Sequence, residues 1–322
     1  MEYVNLGKTG AKVSQICLGC MSFGNASEWH LETEQSKPII NKAIDLGINF
    51  FDTANVYSKG RSEEIVGEIL QGRRNDIVLA TKVNGLMKEG PNNSGLSRIH
   101  IHKQIKESLK RLRTDYIDLY QIHRWDYNTP IKETLSTLND IVHQGLVRHI
   151  GASSMYAWQF AKALWTSEEN GFERFSTMQN HYNLCYREEE REMNPLCHDQ
   201  DIGLIPWSPL AGGFLTGKYK RDVEPSGSRI KSLGHIMRDR WNKPETFDII
   251  DAASSIAAEK GVTISQIALA WLLKKGVTAP IIGATKINHV EEAAESINIS
   301  LSSDDIKRLE DPYKVSIIQG HQ

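Results

Sequence analysis

Four side chains in this sequence are of types that together could pass a proton to a carbonyl oxygen. Asp52 ends the apolar run Ile48–Phe51, and Tyr57 follows it by five positions. Lys82 and His123 each end a further apolar run. A free phenol has a pKa of about 10, and a nearby ammonium lowers it, so Lys82 would make Tyr57 a usable general acid. Asp52 would keep Lys82 charged and in place, and His123 would orient the carbonyl oxygen.

These side chains can move protons but cannot donate a hydride, so the set implies a nicotinamide cofactor. Each residue also has an ordinary structural explanation, as a helix cap, a lysine that reaches solvent or a hydrogen-bonded core histidine. Metal-dependent hydrolysis is a competing interpretation. It normally needs several His or carboxylate ligands, whereas only His123 occupies an obvious strand end, and the charge of Lys82 would oppose a metal ion. The sequence therefore predicts no metal site.

The elements that must position these residues alternate along the chain. The predicted strands are Ser14–Gly19, Ile48–Phe51, Ile77–Lys82, Tyr116–His123, Val147–Ser153, Ser176–Gln179, Gly203–Trp207 and Val277–Ile282. They are short and apolar, as in a parallel sheet that is buried on both faces. About eight of them in 322 residues, without a linker, predict one α/β domain over residues 1–322, a (β/α)8 TIM barrel. An open doubly wound sheet is the alternative, but no G-x-G-x-x-G follows the first strand.

Other segments complete this predicted fold. The stretch Leu6–Gly10 lies between two short apolar runs and predicts an N-terminal β-hairpin. Ser208–Lys243 is rich in glycine and predicts a long loop after strand 7, a kind of segment that is usually functional. The predicted helices are Thr33–Leu46, Ser62–Leu70, Ser97–Leu112, one with Thr129 as N-cap and Pro130 as first residue, Tyr156–Glu169, Arg187–Asp199, Pro244–Lys260, Thr263–Lys274, and two starting at Asn288 and Ser303. The Glu-rich part, Arg187–Glu192, is interpreted as solvated barrel exterior.

Composition narrows the functional classes. A net charge of −2 gives no basic field for nucleic acid or an anionic membrane. No apolar run approaches the ~20 residues of a membrane span, and the first residues do not resemble a signal peptide, so we expect a cytoplasmic protein. Cys17 and Cys20 form a C-x-x-C without a second pair and predict reduced core thiols. We expect a small-molecule carbonyl substrate and a monomer or weak homo-oligomer.

Several motifs resemble the catalytic tetrad of the aldo-keto reductases. They are Phe-Asp-Thr-Ala-x-x-Tyr with Asp52 and Tyr57, Ala-Thr-Lys with Lys82, and Leu-Tyr-Gln-Ile-His with His123. The likeness covers nearly the whole chain and includes Leu-Gly-Lys-Thr-Gly, Ile-Gly-Ala-Ser-Ser and Pro-Trp-Ser-Pro-Leu-Ala-Gly-Gly. It implies that Tyr57 is the general acid of an NADPH-dependent reductase of aldehydes and ketones. It also implies that Lys82 and Asp52 tune Tyr57 and that His123 orients the carbonyl.

The resemblance further implies which residues bind the cofactor. The implied set is Gly19, Met21, Ser153, Ser154, Gln179, Trp207, Ser208, Leu210, Gly212, Lys218, Gly283, Ala284, Lys286, His289 and Glu292. Ser153 and Gln179 would hold the carboxamide and Trp207 would stack on the nicotinamide ring. Ser154 stands where many relatives have Asn, and His289 where Arg or Gln is common. Lys286 precedes a helix, an arrangement that favours a phosphate. By the same resemblance this place takes the adenosine 2′-phosphate, which implies NADPH over NADH.

The segment Gly212–Lys218 nearly matches a nucleotide-binding P-loop. Tyr219 occupies the position of the Ser or Thr whose hydroxyl would bind magnesium, so an ATPase is rejected. A glycine-rich loop with one cation still suits a pyrophosphate. In the aldo-keto reductases the corresponding loop folds over the dinucleotide.

The substrate is less well defined. Four aromatic residues on loops after the first and fourth strands predict a pocket for an apolar or aromatic carbonyl compound: Phe23, Trp29, Trp125 and Tyr127. Four basic residues, Arg124, Lys218, Lys220 and Arg221, favour a phosphorylated sugar instead.

Two functional alternatives remain. The segments Arg124–Pro130 and Tyr186–Glu192 look most like bacterial YajO-like members, and fungal versiconal hemiacetal acetate reductases are also similar. One alternative is thus a YajO-like conversion of a sugar phosphate to 1-deoxyxylulose 5-phosphate. The other is a cofactor-sensing binding subunit that resembles the channel-associated β subunits of the family, although the intact tetrad argues against a pure scaffold.

Overall fold

The hairpin that opens the chain covers one end of a barrel. In the computed structural model, which describes residues 1–221, 223 and 240–321, strands β1 (Tyr3–Asn5) and β2 (Lys12–Ser14) pair antiparallel. Leu6 and Val13 of this hairpin are fully buried in an apolar cluster that includes the first residues of several barrel strands. The predicted hairpin is confirmed, and it closes the end of the barrel at which the strands begin.

Eight further strands in the described residues form one parallel sheet. They are β3 (Cys17–Gly19), β4 (Phe50–Asp52), β5 (Val78–Val83), β6 (Ile117–Ile122), β7 (Val147–Ser153), β8 (Phe175–Gln179), β9 (Gly203–Leu204) and β10 (Ile281–Gly283). Their spatial order is β10-β3-β4-β5-β6-β7-β8-β9. Backbone hydrogen bonds from Thr278 N to Leu204 O (2.9 Å) and from Ile281 N to Pro206 O (3.0 Å) join the two edges. The predicted (β/α)8 barrel is confirmed, and the open doubly wound sheet is wrong.

The last two strands are shorter than the sequence predicts. The predicted strand Gly203–Trp207 is regular only over its first two residues, and Trp207 forms an isolated bridge with His181. The last strand begins at Ile281 instead of Val277. Proline has no N–H to donate, so Pro206 and Pro280 interrupt the ladder at these points.

Helices surround the sheet. They are α1 (Thr33–Asp45), α2 (Arg61–Ile69), α3 (Arg98–Leu112), α4 (Ile131–His143), α5 (Ala157–Asn170), α6 (Met193–Asp199), α7 (Pro244–Lys260), α8 (Ile264–Lys274), α9 (Ile287–Glu295) and α10 (Ser303–Glu310). A capping box opens α8, with Thr263 Oγ1 accepting from Gln266 N at 3.2 Å and Gln266 Oε1 accepting from Thr263 N at 2.9 Å. In the described chain no single helix meets the length and apolarity of a membrane span; α7 and α8 meet it only as a pair bent by 98°.

Two helix predictions are wrong in detail. Helix α4 begins at Ile131 with Pro130 as its N-cap, because the Thr129 hydroxyl donates to Asp126 Oδ2 (2.7 Å) instead of capping. The predicted helix Arg187–Asp199 is a 3-10 turn at Glu188–Glu190 followed by α6. Contacts of Glu188 and Glu189 with distant residues override the local helix preference.

The sequence also predicted buried, reduced cysteines and a long loop after the seventh barrel strand. All four cysteines are free, and Cys17 and Cys20 are buried. Burial raises the pKa of both thiols, so the prediction of reduced core thiols is confirmed. In the loop Ser208–Lys243, the described start contains a 3-10 turn, Ala211–Thr216, and positions 222 and 224–239 lie outside the described residues.

Candidate active site

The four residues of the predicted tetrad lie together at the end of the barrel where the strands finish. Asp52 is the last residue of β4, Lys82 lies near the end of β5, and His123 directly follows β6. Tyr57 begins the 3-10 turn that leads into α2. Ser58 and Lys59 of this turn have positive φ angles of 47° and 54°, and this tight reversal brings the phenol back over the strand ends.

Lys82 is the centre of the site. Its side chain is fully buried, and Nζ donates to Asp52 Oδ1 (2.5 Å), to the Thr53 carbonyl oxygen (2.8 Å) and to Tyr57 Oη (3.2 Å). An ammonium has three protons, so each has an acceptor. The buried charge is paired and fully hydrogen-bonded, which is the condition under which a protein interior tolerates it.

A second layer of amides fixes Asp52. Its Oδ2 accepts from Gln121 Nε2 (2.9 Å) and Gln179 Nε2 (3.0 Å), and Gln179 Nε2 also lies 3.1 Å from Gln121 Oε1. Gln121 was not among the predicted site residues. A polar residue two positions before His123, inside an apolar strand, was the available signal, because alternate residues of a strand point to the same face.

The electrostatics of Tyr57 differ from the sequence-based expectation. Burial raises the pKa of Tyr57 above its ordinary value, and the nearby Lys82 ammonium offsets this only in part. The predicted lowering of the pKa is therefore wrong, because desolvation of the phenolate outweighs the attraction. Burial lowers the pKa of Lys82, but Asp52 and Tyr57 outweigh it and the net shift is upward, so the ammonium stays charged at neutral pH.

His123 lies beside the phenol. The two rings of Tyr57 and His123 meet edge to face with centroids 5.8 Å apart. Burial, followed by the charges of Lys82 and Arg124, holds the pKa of His123 well below its ordinary value. The imidazole is therefore neutral at neutral pH, and it can donate a hydrogen bond without competing as an acid.

The predicted carboxamide residues lie next to this cluster. Ser153 is opposite Gln179 in the register of β7 and β8, and Ser153 Oγ donates to the Gln179 carbonyl oxygen (2.8 Å). Ser154 Oγ accepts from Trp207 Nε1 at 3.0 Å. The Gln179 amide points to Asp52 in this structure.

Three residues at these strand ends have strained backbones. Ser154, Ser208 and Ala211 have φ angles of 54°, 53° and 48°, a region that non-glycine residues occupy at a cost of about 1–2 kcal/mol each. Asn180 Oδ1 accepts from Ser154 N (2.8 Å), and Asn183 Nδ2 donates to the Ser208 carbonyl oxygen (2.9 Å). Strain that is held in place by specific bonds is typical of binding sites.

The final described residues lie against Trp207. The Trp207 ring stacks on His181 (4.2 Å), which stacks on Tyr186 (4.4 Å). A Cβ added at Gly320 would come within 2.9 Å of the Trp207 ring, and Gln319 N donates to Tyr186 Oη (2.8 Å). This segment therefore covers the edge of the ring stack.

This final segment is anchored by glutamates that the sequence predicted to be exposed to solvent. Glu188 and Glu189 are only 8% and 3% exposed. Glu188 Oε1 accepts from Tyr313 Oη (2.7 Å) and Ser316 N (2.8 Å). Glu189 accepts from Asn180 Nδ2 (2.6 Å) and lies 3.1 Å from His321 Nε2. The interpretation of Arg187–Glu192 as solvated exterior is wrong for Glu188 and Glu189, whereas Arg191 and Glu192 are exposed as predicted. Asn180 and Glu189 support the site and were not among the predicted residues.

Cations gather on the other side of the mouth, near β10 and α9. Burial lowers the pKa of His289, and the charges of Lys286 and Lys218 lower it further, so the three side chains share one region. Lys286 is the N-cap residue of α9, whose first backbone N–H groups carry partial positive charge. A Cβ at Gly283 would meet no atom within 4 Å. This donor set and open backbone fit a phosphate group.

The other predicted cofactor residues border this region. Gly19 ends β3 beside Gly283, Met21 is exposed just after it, and Ser22 Oγ donates to the Ala284 carbonyl oxygen (3.0 Å). Glu292 accepts from Asn288 Nδ2 at 3.2 Å. Leu210 and Gly212 belong to the turn after β9, where Gly212 has a φ angle of 65°. All the predicted cofactor residues thus lie at the same end of the barrel.

The predicted aromatic pocket is only partly supported. Phe23 is fully buried and belongs to the main core, so its assignment to an exposed pocket is wrong. Trp29 and Trp125 are half-buried, and Trp125 lies 6.2 Å from Trp158. Tyr127 is 64% exposed and accepts a hydrogen bond from Gln159.

Comparisons with known proteins agree with this geometry. The model of the aldo/keto reductase family matches residues 15–314. Aldo-keto reductase dtxS3 of Metarhizium robertsii is 41% identical, covering 100% of this chain and 93% of its own. Versiconal hemiacetal acetate reductase of Aspergillus parasiticus is 39% identical, covering 97% of each chain. This protein is thus similar to fungal oxidoreductases over essentially its whole length, and it belongs to the aldo/keto reductase family.

Proposed function

We propose that this protein is an NADPH-dependent carbonyl reductase in which Tyr57 donates the proton to the carbonyl oxygen of an aldehyde or ketone. The observation that carries the proposal is the buried chain of contacts from Asp52 through Lys82 Nζ to Tyr57 Oη, at 2.5 and 3.2 Å. It ends on a phenol that shares the mouth of the barrel with His123. Such a chain supplies a proton to an oxygen that gains negative charge.

The raised pKa of Tyr57 explains how the proton is kept until it is needed. At neutral pH the phenol is fully protonated. When a carbonyl oxygen becomes an alkoxide, it is the stronger base and takes the proton. The charge of Lys82 then stabilises the phenolate that remains, 3.2 Å away. In this proposal Lys82 therefore acts mainly on the transition state and not on the resting enzyme.

The neutral His123 would place the carbonyl. A neutral imidazole beside the phenol can donate one hydrogen bond to the same oxygen that receives the proton. Since the pKa of His123 is held well below its ordinary value, the ring is not an imidazolium and cannot replace Tyr57 as the acid. Half-buried Trp29 and Trp125 favour an apolar or aromatic substrate.

A bound nicotinamide would supply the hydride. Ser153, Ser154 and Gln179 would hold its carboxamide, and Trp207 would support the ring. Lys218 would bind the pyrophosphate, and Lys286 at the start of α9 would bind the 2′-phosphate that only NADPH carries, which favours NADPH over NADH. Replacement of Lys286 by Gln should therefore raise the KM for NADPH at least about tenfold, the scale of a charge-assisted hydrogen bond, and hardly change the KM for NADH. Lys274→Gln, on an exposed part of α8, is the control.

The decisive experiment follows NADPH oxidation by the purified protein over a panel of aldehydes, ketones and sugar phosphates. Tyr57→Phe should lower kcat about 10²- to 10⁴-fold, the range that general acid catalysis contributes. Tyr120→Phe is the control, because Tyr120 is a fully buried tyrosine of the barrel whose hydroxyl has no hydrogen-bond partner among the described residues. This control should keep full activity. Equal activity of wild type and Tyr57→Phe would refute the proposed role of Tyr57.

A further inference from the structure

Two arginines at the mouth of the barrel, Arg124 and Arg240, have no carboxylate partner in the part of the chain that the structure describes. Arg124 follows His123, and its Nη1 donates to the His123 carbonyl oxygen at 2.6 Å. The backbone of Arg124 is fixed by Asn84 Nδ2, which donates to its carbonyl oxygen (3.0 Å). Arg240 lies with Cζ 6.0 Å from the centre of the Trp207 ring. Both side chains are half-buried, and among the described residues neither forms an ion pair.

The electrostatics of Arg124 and Arg240 are linked to each other and to the tetrad. Burial lowers the pKa of Arg124, the ionised form of Tyr57 would raise it, and the charge of Arg240 lowers it again. Arg124 directly follows His123 and donates to its carbonyl oxygen, and Arg240 lies against Trp207. Arg240 also helps to lower the pKa of His181, which stacks on Trp207. Arg124 thus lies beside the predicted tetrad, and Arg240 beside the predicted nicotinamide platform.

The nearby acids are already engaged. Asp52 accepts from Lys82 and two glutamines. Asp126, two residues after Arg124, accepts from Leu96 N, Asn128 N and Thr129 Oγ1. Two positive charges that are half-buried repel each other, and this repulsion raises the free energy of the protein unless an anion binds between them.

The position of Arg124 separates this pair from the cofactor phosphates. In the barrel order, β6 is four strands from β10, so Arg124 lies across the mouth from Lys286 and Gly283. An anion beside Arg124 is therefore on the substrate side of the site. Arginine suits this task, because its planar guanidinium binds a carboxylate or phosphate in a bidentate manner.

We propose that Arg124 and Arg240 form an anion subsite and that the preferred substrates are carbonyl compounds that also carry a carboxylate or phosphate group. This inference rests on the proposed reductase function and names its substrate class. The anionic group binds between the two arginines while the carbonyl oxygen of the same molecule reaches Tyr57 and His123.

The test compares matched aromatic aldehydes. 4-Carboxybenzaldehyde and 4-formylbenzamide have nearly the same shape but differ in charge, and 4-formylphenyl phosphate adds the phosphate class. The wild type should show a kcat/KM at least about tenfold higher for an anionic aldehyde than for the amide, the scale of one charge-assisted hydrogen bond. The better of the two anions identifies the preferred group. A wild type without preference for either anion would overturn the proposal.

Variants of the two arginines test whether these residues cause the preference for an anionic aldehyde. Arg240→Gln and Arg124→Gln should each remove most of this preference, measured as the ratio of kcat/KM for the anionic aldehyde to kcat/KM for the amide, and should do so through the KM for the anion. Arg240→Lys should restore part of it. Arg174→Gln, which breaks an exposed ion pair with Glu168 at the opposite end of the barrel, is the control and should leave the anion preference unchanged. If the variants weaken NADPH binding and leave the anion preference intact, the arginines serve the cofactor and the proposal is wrong.

A binding measurement separates this proposal from the reductase function. In calorimetry with NADP⁺ present, 4-(hydroxymethyl)benzoate should bind the wild type at least about tenfold more tightly than Arg240→Gln. This result does not need turnover, so it stands even if no aldehyde is reduced. Equal affinity for both proteins would refute the anion subsite whatever the activity.

Discussion

Two buried carboxylates at the mouth of the barrel are held in different ways. Asp52 accepts from Lys82, Gln121 and Gln179, all of which lie on strands of the sheet. Glu189 accepts from Asn180 and pairs with His321, and these lie just after β8 and in the final described residues. The backbone ladder of the sheet fixes the first group of donors. The second group lies outside the regular ladder: a single backbone bond, from Trp207 N to the Asn180 carbonyl oxygen (3.0 Å), joins Asn180 to the segment just after β9, and His321 is held through side-chain contacts.

Unpartnered polar atoms mark the same difference. All three protons of Lys82 have acceptors. Around Glu189, the buried atoms Gln319 Oε1, His181 Nδ1 and His321 Nδ1 have no partner among the described residues, and His321 itself contacts Glu189. On the other side, Asn55 Oδ1 and Ser58 Oγ are also without a partner, but neither side chain bonds to that of Asp52 or Lys82. A fully satisfied network is rigid, whereas a partly satisfied one costs free energy and opens more readily. We therefore expect the Asp52 side to be the stable part of the site and the Glu189 side to be the part that yields first.

The largest expected effect comes from removing the centre of the rigid side. Lys82→Met should lower the free energy of unfolding by about 3–5 kcal/mol, because it leaves the buried carboxylate of Asp52 without its ion-pair partner. Urea denaturation measures this loss. The double variant Lys82→Met/Asp52→Leu removes both charges and should recover part of it. A loss below about 1 kcal/mol in the single variant would mean that the pair is not buried as described.

Glu189→Gln should cost about 1–3 kcal/mol, since the amide has one acceptor fewer for Asn180 and His321. It should also speed proteolysis of the segment 313–321 and weaken NADPH binding through the contact from Asn180 to Ser154. Glu192→Gln, on an exposed neighbour without these contacts, is the control. If both variants behave alike, Glu189 does not anchor the segment.

The stability of the ring stack should depend on pH. Burial holds the pKa of His181 well below its ordinary value of about 6.5, so the unfolded chain binds a proton at a pH where the folded protein does not. Stability is therefore full above pH 6.5 and falls as the pH decreases below it, by about 1.4 kcal/mol per pH unit for this group. His181→Phe should reduce that slope in urea titrations between pH 7 and 5. An unchanged slope would exclude His181 as a source.

The smallest effect concerns the contact of the final segment with Trp207. Gly320→Ala places a methyl group against the Trp207 ring at a φ angle of 85°, whereas Gly72→Ala has a similar φ of 79° and open space. Both should lose about 1 kcal/mol to backbone strain. Only Gly320→Ala should also shift the Trp fluorescence and its quenching by NADPH. Identical spectra would mean that the segment does not touch the ring in solution.

Most of the catalytic residues around Asp52 could be predicted from the sequence. Asp52, Lys82 and His123 each end an apolar run, and parallel strands bring such ends together, so local sequence and one rule of fold were sufficient. The pKa of Tyr57 was predicted with the wrong sign, because the desolvation of a phenol depends on the whole surrounding structure and not on one charged neighbour. Phe23 was misassigned for a similar reason, since no local pattern distinguishes a loop aromatic that lines a pocket from one that packs in the core.

The sequence by itself determined the alternation of strands and helices, the barrel, and the residues at its strand ends, because the period of apolar residues and the turn residues are local properties. Only the tertiary structure decided that Gln121 supports Asp52, that Glu189 is buried under the final segment, and that Arg124 and Arg240 share the mouth. The hydrogen-bonded pairs join residues between 9 and 132 positions apart, and the two arginines are more than 100 positions apart. All of these pairings depend on strand register and on the path of the loops. Strand register and loop path cannot be read from any single stretch of the sequence.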